Sequence, residues 1–369
     1  MHFTCERSIL QTNISITART VATKSSIPAL EGILLEAGEQ LQFTGYNMKT
    51  GIRTTVPADI KETGSIVVSS RLFGEIIRRL SDEVVSVSVK GETVTIRCGA
   101  SEFKIQGMDP EEYPELPSVE YQNTITMEQS ALMEMINQTL FAVGHDESRM
   151  IQTGELFELD EEGTLTVVAV DGYRLALRRE KVQGGKPCSF VLPAASLNEV
   201  SKICSASGES VEIVQGERHV MFKAGNATLI SRRLEGNFLN YHNSIPRENP
   251  IVITADRKQL IAAIDRCSLI ITEQQKSPLR CTLDGNVLKL QTATAIGTVY
   301  DECNVMGCGQ KLEIGFNDRY MLEALKAVPA EALRLCMNTP VSPCVIVPEE
   351  GEEERFLYMV LPVRMRAGV

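Results

Sequence analysis

Apolar residues Leu72, Phe73, Ile76, Ile77 and Leu80 recur at helical spacing, which predicts an amphipathic helix over 70–80 with that face buried. Arg71, Glu75, Arg78 and Arg79 take the opposite face. The pattern returns 124 residues later at 194–202, with Glu199 for Glu75 and Lys202 for Arg78. After another 124 residues it recurs at 318–326, with Glu323 and Lys326 in those places. An apolar strand is predicted before each copy (65–68, 189–192, 312–316) and an alternating one after it (84–89, 210–214, 332–337). One module is therefore written three times, and every copy puts a basic residue on the outer face of this helix.

Each module is a half-module used twice. The first third opens with a helix predicted over 4–22, Ile9, Leu10, Ile14, Ile16 and Val21 mostly inward. Ser25-Ser26-Ile27-Pro28 breaks it, because proline disfavours helix at the residue before it. Alternating runs at 32–36, 40–45 and 51–56 precede the 70–80 helix, and runs at 84–90, 93–98 and 102–106 follow it, with a hairpin turn at Lys90-Gly91-Glu92. The middle third opens with a helix over 128–143, apolar at Leu132, Met135, Ile136, Leu140 and Val143, then strands at 154–159, 165–170 and 174–178. The last opens with a helix over 257–270, apolar at Leu260, Ile261, Ile264, Cys267 and Ile270, then strands at 279–283, 287–292 and 297–303. Pro-rich, non-periodic stretches at 109–117 and 235–246 read as linkers, each with an aromatic residue shortly before a Leu-Pro or Ile-Pro step. Three domains follow: 1–121, 122–248 and 249–369. The acidic run 349–354 reads as a solvated hairpin tip.

A chain of 369 residues allows three domains with a core each, and a 124-residue period is too long for a solenoid, whose repeats run about 20–50 residues. No apolar run approaches the roughly 20 residues of a membrane span, and the start lacks the basic and apolar regions of an export signal. The ten cysteines contain no CxxC pair and the four histidines are dispersed, so reduced thiols in a cytosolic protein are expected, with no metal site and no cofactor. A net charge of −11 confines any nucleic-acid contact to a restricted surface.

Phosphate-binding glycine loops, HExxH and GxSxG are absent, and no nucleophile, base and oxyanion donor assemble, which disfavours catalysis. Asp171-Gly172-Tyr173-Arg174, between two strands, has two readings: a site with an acid and a base, or a tight hairpin in which Arg174 caps or pairs with Asp171. His145-Asp146 closes the preceding helix and reads as a cap or turn. The register-matched basics have two readings as well, a surface charge copied by duplication or a shared anionic partner; Arg71 and Arg319 also match, with Ala195 between them.

The order of modules, the opening strand Met1-His2-Phe3-Thr4 and the segment Ser26-Ile27-Pro28-Ala29-Leu30 resemble the bacterial DNA polymerase III beta subunit family, the sliding clamps. So do Ala169-Val170-Asp171-Gly172-Tyr173-Arg174-Leu175-Ala176, Glu313-Ile314-Gly315-Phe316-Asn317 and Tyr358-Met359-Val360-Leu361-Pro362-Val363-Arg364, in collinear order over essentially the whole chain. The resemblance implies an α+β fold: three tandem clamp domains, each with two helices packed on antiparallel sheets, two chains joining head to tail into a ring homodimer. Twelve helices about 10 Å wide would enclose an opening on the order of 25–30 Å, enough for a hydrated duplex. It implies a non-catalytic processivity factor in the cytoplasm that encircles double-stranded DNA without reading sequence. Lys24, Arg71, Arg78, Arg79, Arg149, Lys202, Arg319 and Lys326 are then the DNA-facing candidates, with Glu75, Glu199 and Glu323 keeping the grip loose.

The resemblance also implies a pocket for short linear motifs of the replicative polymerase, the clamp loader and repair proteins. By position it takes Arg149, Ile151, Gln152 and Val170 from one stretch, with Gly172, Arg174 and Leu175 following. Pro246, Pro343, Met359, Leu361 and Val363 complete it. Gln152 stands where the family often has leucine and Val170 where it often has threonine, and the tail 366–369 runs past the usual ending. Dimer closure is implied at Phe103 and Ile105 of one chain against Leu269 and Ile270 of the other. The competing readings are a scaffold that uses the pocket without enclosing DNA, and an enzyme with a cleft around Asp171, Arg174 and His145.

Overall fold

The structure, a computed structural model, describes residues 1–81, 83–272, 274–307, 310–349 and 355–365. They form two compact units that do not follow the sequence thirds. One contains Met1–Met133, Gln183–Lys186 and Ala195–Arg233; the other contains Glu134–Val182, Pro187–Ala194 and the chain from Leu234 onward. The α-helices among the described residues are α1 (Arg7–Thr17), α2 (Ser70–Arg79), α3 (Gln129–Thr139), α4 (Ala194–Ile203), α5 (Arg257–Ser268) and α6 (Asp318–Ala327).

In the first unit a five-stranded antiparallel sheet runs Asp59–Glu62, His2–Glu6, Val84–Lys90, Thr93–Cys98, Ser101–Gln106. Phe3, Leu10, Phe43, Phe73 and Ile77 are sealed in the core that α1 and α2 share with the strands. A nine-stranded sheet continues from the first third into the middle one, because Ala227–Arg232 pairs antiparallel with Thr50–Val56, Ala227 opposite Thr54 and Ser231 opposite Thr50. The second unit holds a twelve-stranded sheet in which Arg174–Lys181 pairs with Phe356–Val360, Arg174 opposite Val360. Backbone hydrogen bonds thus carry one repeat into the next at both junctions.

Three of the helices, α2, α5 and α6, start on a side-chain cap, whereas Glu6 before α1 makes none. Ser69 accepts from the Leu72 N–H at 3.4 Å, Asp256 from the Gln259 N–H at 2.8 Å and Asn317 from the Tyr320 N–H at 3.2 Å. Such caps satisfy a donor that the first turn leaves orphaned, worth about 1 kcal/mol each.

The structure corrects the element boundaries in several places. The 4–22 helix begins only at Arg7; His2–Glu6 is a strand with Phe3 and Cys5 inward, held on the Val84–Ser88 ladder. Strands Asn123–Glu128 and Ile251–Asp256 likewise precede α3 and α5. The opening helices also end earlier than their apolar spacing predicts. Near each C-terminus a hydroxyl donates to the carbonyl one turn back: Thr17 to Asn13 at 2.8 Å, Thr139 to Met135 at 2.8 Å and Ser268 to Ile264 at 2.9 Å. On α2, Phe73, Ile76 and Ile77 are buried, but Leu72 is 46% exposed, and Leu80 lies past the helix end. Asp146 does not close a helix; it caps the following 3-10 turn, accepting from the Ser148 N–H at 2.9 Å. The strands Asp59–Glu62 and Gln183–Gly184 carry no apolar alternation and escape the pattern. The hairpin tip at 350–354 and the tail 366–369 lie outside the described residues.

No helix among the described residues is long and apolar enough to cross a membrane. They also hold no group of three or more His, Cys, Asp or Glu placed to bind a metal. Burial pushes up the thiols of Cys204, Cys267 and Cys303.

One buried acid couples this core to pH. Glu155 is fully buried, its Oε1 lies 2.8 Å from the Thr139 hydroxyl, and its Oε2 has no partner. Burial pushes its carboxyl up to about 8, against a lowering by Thr139. The folded chain then holds a proton that the unfolded chain releases, so stability falls as pH rises from the ordinary carboxyl range towards 8, by up to about 1.4 kcal/mol per pH unit. Glu155→Gln is expected to remove that slope; parallel unfolding curves of the two proteins between pH 5 and 8 check it, and equal slopes would refute it.

Candidate docking site and basic helix faces

The Asp171–Arg174 turn is a hairpin, as its bland reading holds, and the acid organises it. Asp171 Oδ1 accepts from the N–H groups of Tyr173 at 2.8 Å and Arg174 at 3.0 Å, while Gly172 takes φ +92°, a region costly for any other residue. Arg174 pairs with Asp171 Oδ2 at 2.9 Å and also with Glu323 of α6. Its guanidinium is 4.5 Å from the Tyr320 ring centroid and 5.5 Å from that of Phe141. Burial alone would raise the Glu323 carboxyl, but hydrogen bonds from Arg319 and Arg174 bring it below its ordinary value. Arg174, 4% exposed, is thus a structural pin between a strand and a helix.

Beside this pin lies a small apolar cluster separate from the main core. Leu175 and Met359, neighbours across the strand pair, join Leu156, Val345 and Tyr241, with Ile151, Phe238 and Ile245 partly buried against them. The second linker is held there by Tyr241, whose hydroxyl donates to Glu158 at 2.7 Å. Burial and the Glu158 hydrogen bond raise the Tyr241 phenol. The first linker repeats the device: Tyr113 is buried and donates to the Thr44 carbonyl at 3.2 Å. The aromatic residue before each Leu-Pro or Ile-Pro step is therefore an anchor.

Of the expected pocket residues, Ile151, Leu175 and Met359 are gathered in this cluster. Gly172 is exposed, and a Cβ there would lie 3.6 Å from the Arg149 guanidinium, so these two also adjoin. Leu361 is joined to the turn by its N–H to the Tyr173 carbonyl at 2.9 Å. Val170 and Leu175 are almost wholly covered, and Arg174 is committed to its acids, so these three form walls and support. Gln152 is half-buried and its carbonyl accepts from the Gly144 N–H at 2.7 Å. Pro246 and Pro343 are half-buried outside the cluster, and Val363 is 39% exposed, its N–H bonded to the Gly315 carbonyl at 2.8 Å. Sequence reading missed Phe238, Tyr241 and Ile245 as members, although the linker pattern marked their stretch. It had no signal for Tyr320 or Phe141, which meet Arg174 only in the fold.

All eight basic candidates are exposed. On α2, Glu75 pairs with Arg78 and with Arg79, the latter at 3.1 Å. On α4, Glu199 pairs with Lys202 at 2.7 Å and approaches Arg19 at 3.7 Å. On α6, Arg319 pairs with Glu323 at 2.8 Å, and Lys326 lies 3.6 Å from Asp265. Each repeated helix therefore carries exposed cations next to a glutamate that partly neutralises them. Of the interface candidates, Phe103 is 39% and Leu269 79% exposed, Ile270 is intermediate, and Ile105 packs in part on its own core.

Removing the buried guanidinium leaves Asp171 and Glu323 without it. Arg174→Ala is expected to cost roughly 3–5 kcal/mol, the range for breaking a buried pair from one side. Urea unfolding checks this, and a loss below about 1 kcal/mol would mean that the pin is no more than a surface pair.

Comparison with known proteins agrees with this architecture. The DNA polymerase III beta subunit N-terminal domain matches residues 1–117, the central domain 126–240 and the C-terminal domain 242–364. The beta sliding clamp of Halalkalibacterium halodurans is 33% identical over 99% of this chain and 100% of its own, and that of Bacillus subtilis 32% over the same shares. The crystal structure of the Bacillus subtilis DNA polymerase sliding clamp superposes with a TM-score of 0.95 at 31% identity, covering 99% of this chain and 100% of that one. A Pseudomonas aeruginosa sliding clamp bound to griselimycin gives 0.94 at 27% identity with the same coverage. With all three family domains matched in order along nearly its whole length, the chain belongs to the DNA polymerase III beta subunit family, the bacterial sliding clamps.

Proposed function

We propose that this protein is a non-catalytic processivity clamp: a cytoplasmic homodimeric ring of three clamp domains per chain, divided at 1–121, 122–248 and 249–369, that encircles duplex DNA. It tethers the replicative polymerase, the clamp loader and repair proteins through linear motifs and needs no cofactor. The observation that carries the reading is the repeated helix face, with exposed Arg78, Lys202 and Lys326 in register and a glutamate three residues before each. Cations tempered in this way attract phosphate without fixing register, which suits sliding. Lys24, Arg71, Arg79, Arg149 and Arg319 supplement them.

Closure of the ring is supported by two unpaired strand edges. Among the described residues, Ser101–Gln106 ends its sheet, paired only with Thr93–Cys98. In Gly297–Gly307, residues 297–304 pair on one side with 287–294, and only 305–307 pair with 253–255. An open edge is a template for a strand of another chain, and exposed Phe103 and Leu269, with Ile105 and Ile270, supply apolar contact. The cluster of Leu175, Met359 and Ile151 would receive a partner's aliphatic anchors, with Leu361 and Val363 at its mouth.

Two experiments test the reading. Protein loaded by a clamp loader with ATP onto a nicked circle is expected to stay through a wash at about 0.5 M salt, which weakens phosphate contacts steeply, and to leave once the circle is linearised. Equal retention on both forms would end the ring reading. Phe103→Asp is expected to shift the sedimentation profile from dimer to monomer with the fold intact by circular dichroism; an unchanged dimer would move the interface elsewhere.

A further inference from the structure

Although the chain carries a net charge of −11, a cleft of about 700 Å³ in the last third is lined by cations. Lys276, Arg280 and Arg364 line it together with Gln291, Thr298 and Tyr300, and no carboxylate is in its wall. Its volume is that of a ligand pocket. Arg280 is paired with Glu313 at 3.3 Å, and among the described residues Lys276 and Arg364 form no ion pair.

The cleft is built by the way the chain end is laid down. After Phe356–Val360, the Leu361 N–H bonds to Tyr173 and the Val363 N–H to the Gly315 carbonyl. Gly315, on strand Leu312–Phe316, lets the segment lie flat: a Cβ there would sit 2.8 Å from Met365 Cγ and 3.0 Å from the Val363 carbonyl. Gly315 is also the cross-strand neighbour of Arg280. The same segment that closes the apolar cluster at Met359 and Leu361 thus brings Arg364 and Met365 to the wall of the basic cleft.

We propose that this cleft binds an acidic stretch of a partner protein, a run of Asp and Glu flanking the aliphatic anchors taken by the Leu175–Met359 cluster. The inference rests on the docking function proposed above and adds to it a charge requirement on the partner. Charge complementarity and continuity of the chain from one site into the other favour an acidic peptide. The Thr298 hydroxyl and the Gln291 amide would satisfy carboxylate oxygens that the cations leave over, while the Tyr300 hydroxyl donates to Glu302 at 2.6 Å.

The test is a fluorescence anisotropy titration of the whole protein with a labelled peptide of alternating Glu and Ser, its Gln-for-Glu counterpart, and a single-stranded oligonucleotide of equal charge. Salt-sensitive binding of the Glu peptide is expected, with none for the Gln peptide. The double variant Lys276→Gln/Arg364→Gln, both sites being exposed, should weaken it roughly three- to tenfold, the sum of two screened pairs. Gly315→Ala should weaken it too by displacing the tail that carries Arg364, with both cations still present in the sequence. Equal binding of the Gln peptide, an unaffected double variant, or oligonucleotide binding as tight and as sensitive to that variant would overturn the assignment. Stimulation of a polymerase on primed template reads the docking function separately: its loss with peptide binding retained would sink that function and leave the acidic-segment site standing.

Discussion

A strand edge is a row of amide and carbonyl groups that must find partners, and the repeated module ends in such edges. That constraint organises the chain more than any side chain does. At one junction Ala227–Arg232 satisfies Thr50–Val56, and at the other Phe356–Val360 satisfies Arg174–Lys181, so sheets run on through boundaries that the linkers mark in sequence. The compact units consequently cut across the repeats. Among the edges that remain are Ser101–Gln106 and 297–304, and an open edge of this kind is a template for a strand of another chain.

Side chains then decide what each junction can do. At the second junction the hairpin turn, held by Asp171, exposes Gly172 and buries Arg174 against α6, and the paired strands present Leu175 and Met359 to a linker anchored by Tyr241. A residue set that looks catalytic in one dimension is thereby spent on architecture. The charged pairs of the helix faces follow a comparable logic. A glutamate one turn from each cation partly neutralises it.

Much of this was legible along the chain because its physical cause is local. Helical spacing of Phe73, Ile76 and Ile77 and alternation in the strands report burial directly, and a 124-residue period exposes the duplication without any structure. Boundaries were less legible where local signals compete. The opening strand His2–Glu6 is short and runs straight into helix, and apolar spacing continues past Thr17 and Thr139, where the α-helices pass into 3-10 turns. Leu72 fits the apolar face by spacing alone, yet the fold leaves it 46% exposed.

The amino-acid sequence by itself determined the repeat, the fold class, the repeated basic positions and the family, since each depends on residue type at fixed spacing. Only the tertiary structure decided what depends on residues far apart in the chain meeting. Arg174 is pinned by Glu323, Glu155 is buried with one oxygen unpartnered, and Lys276, Arg280 and Arg364 share one cleft. Spacing cannot encode these, because strand register and the path of the chain end bring the groups together, and both are set by the summed packing of the whole unit.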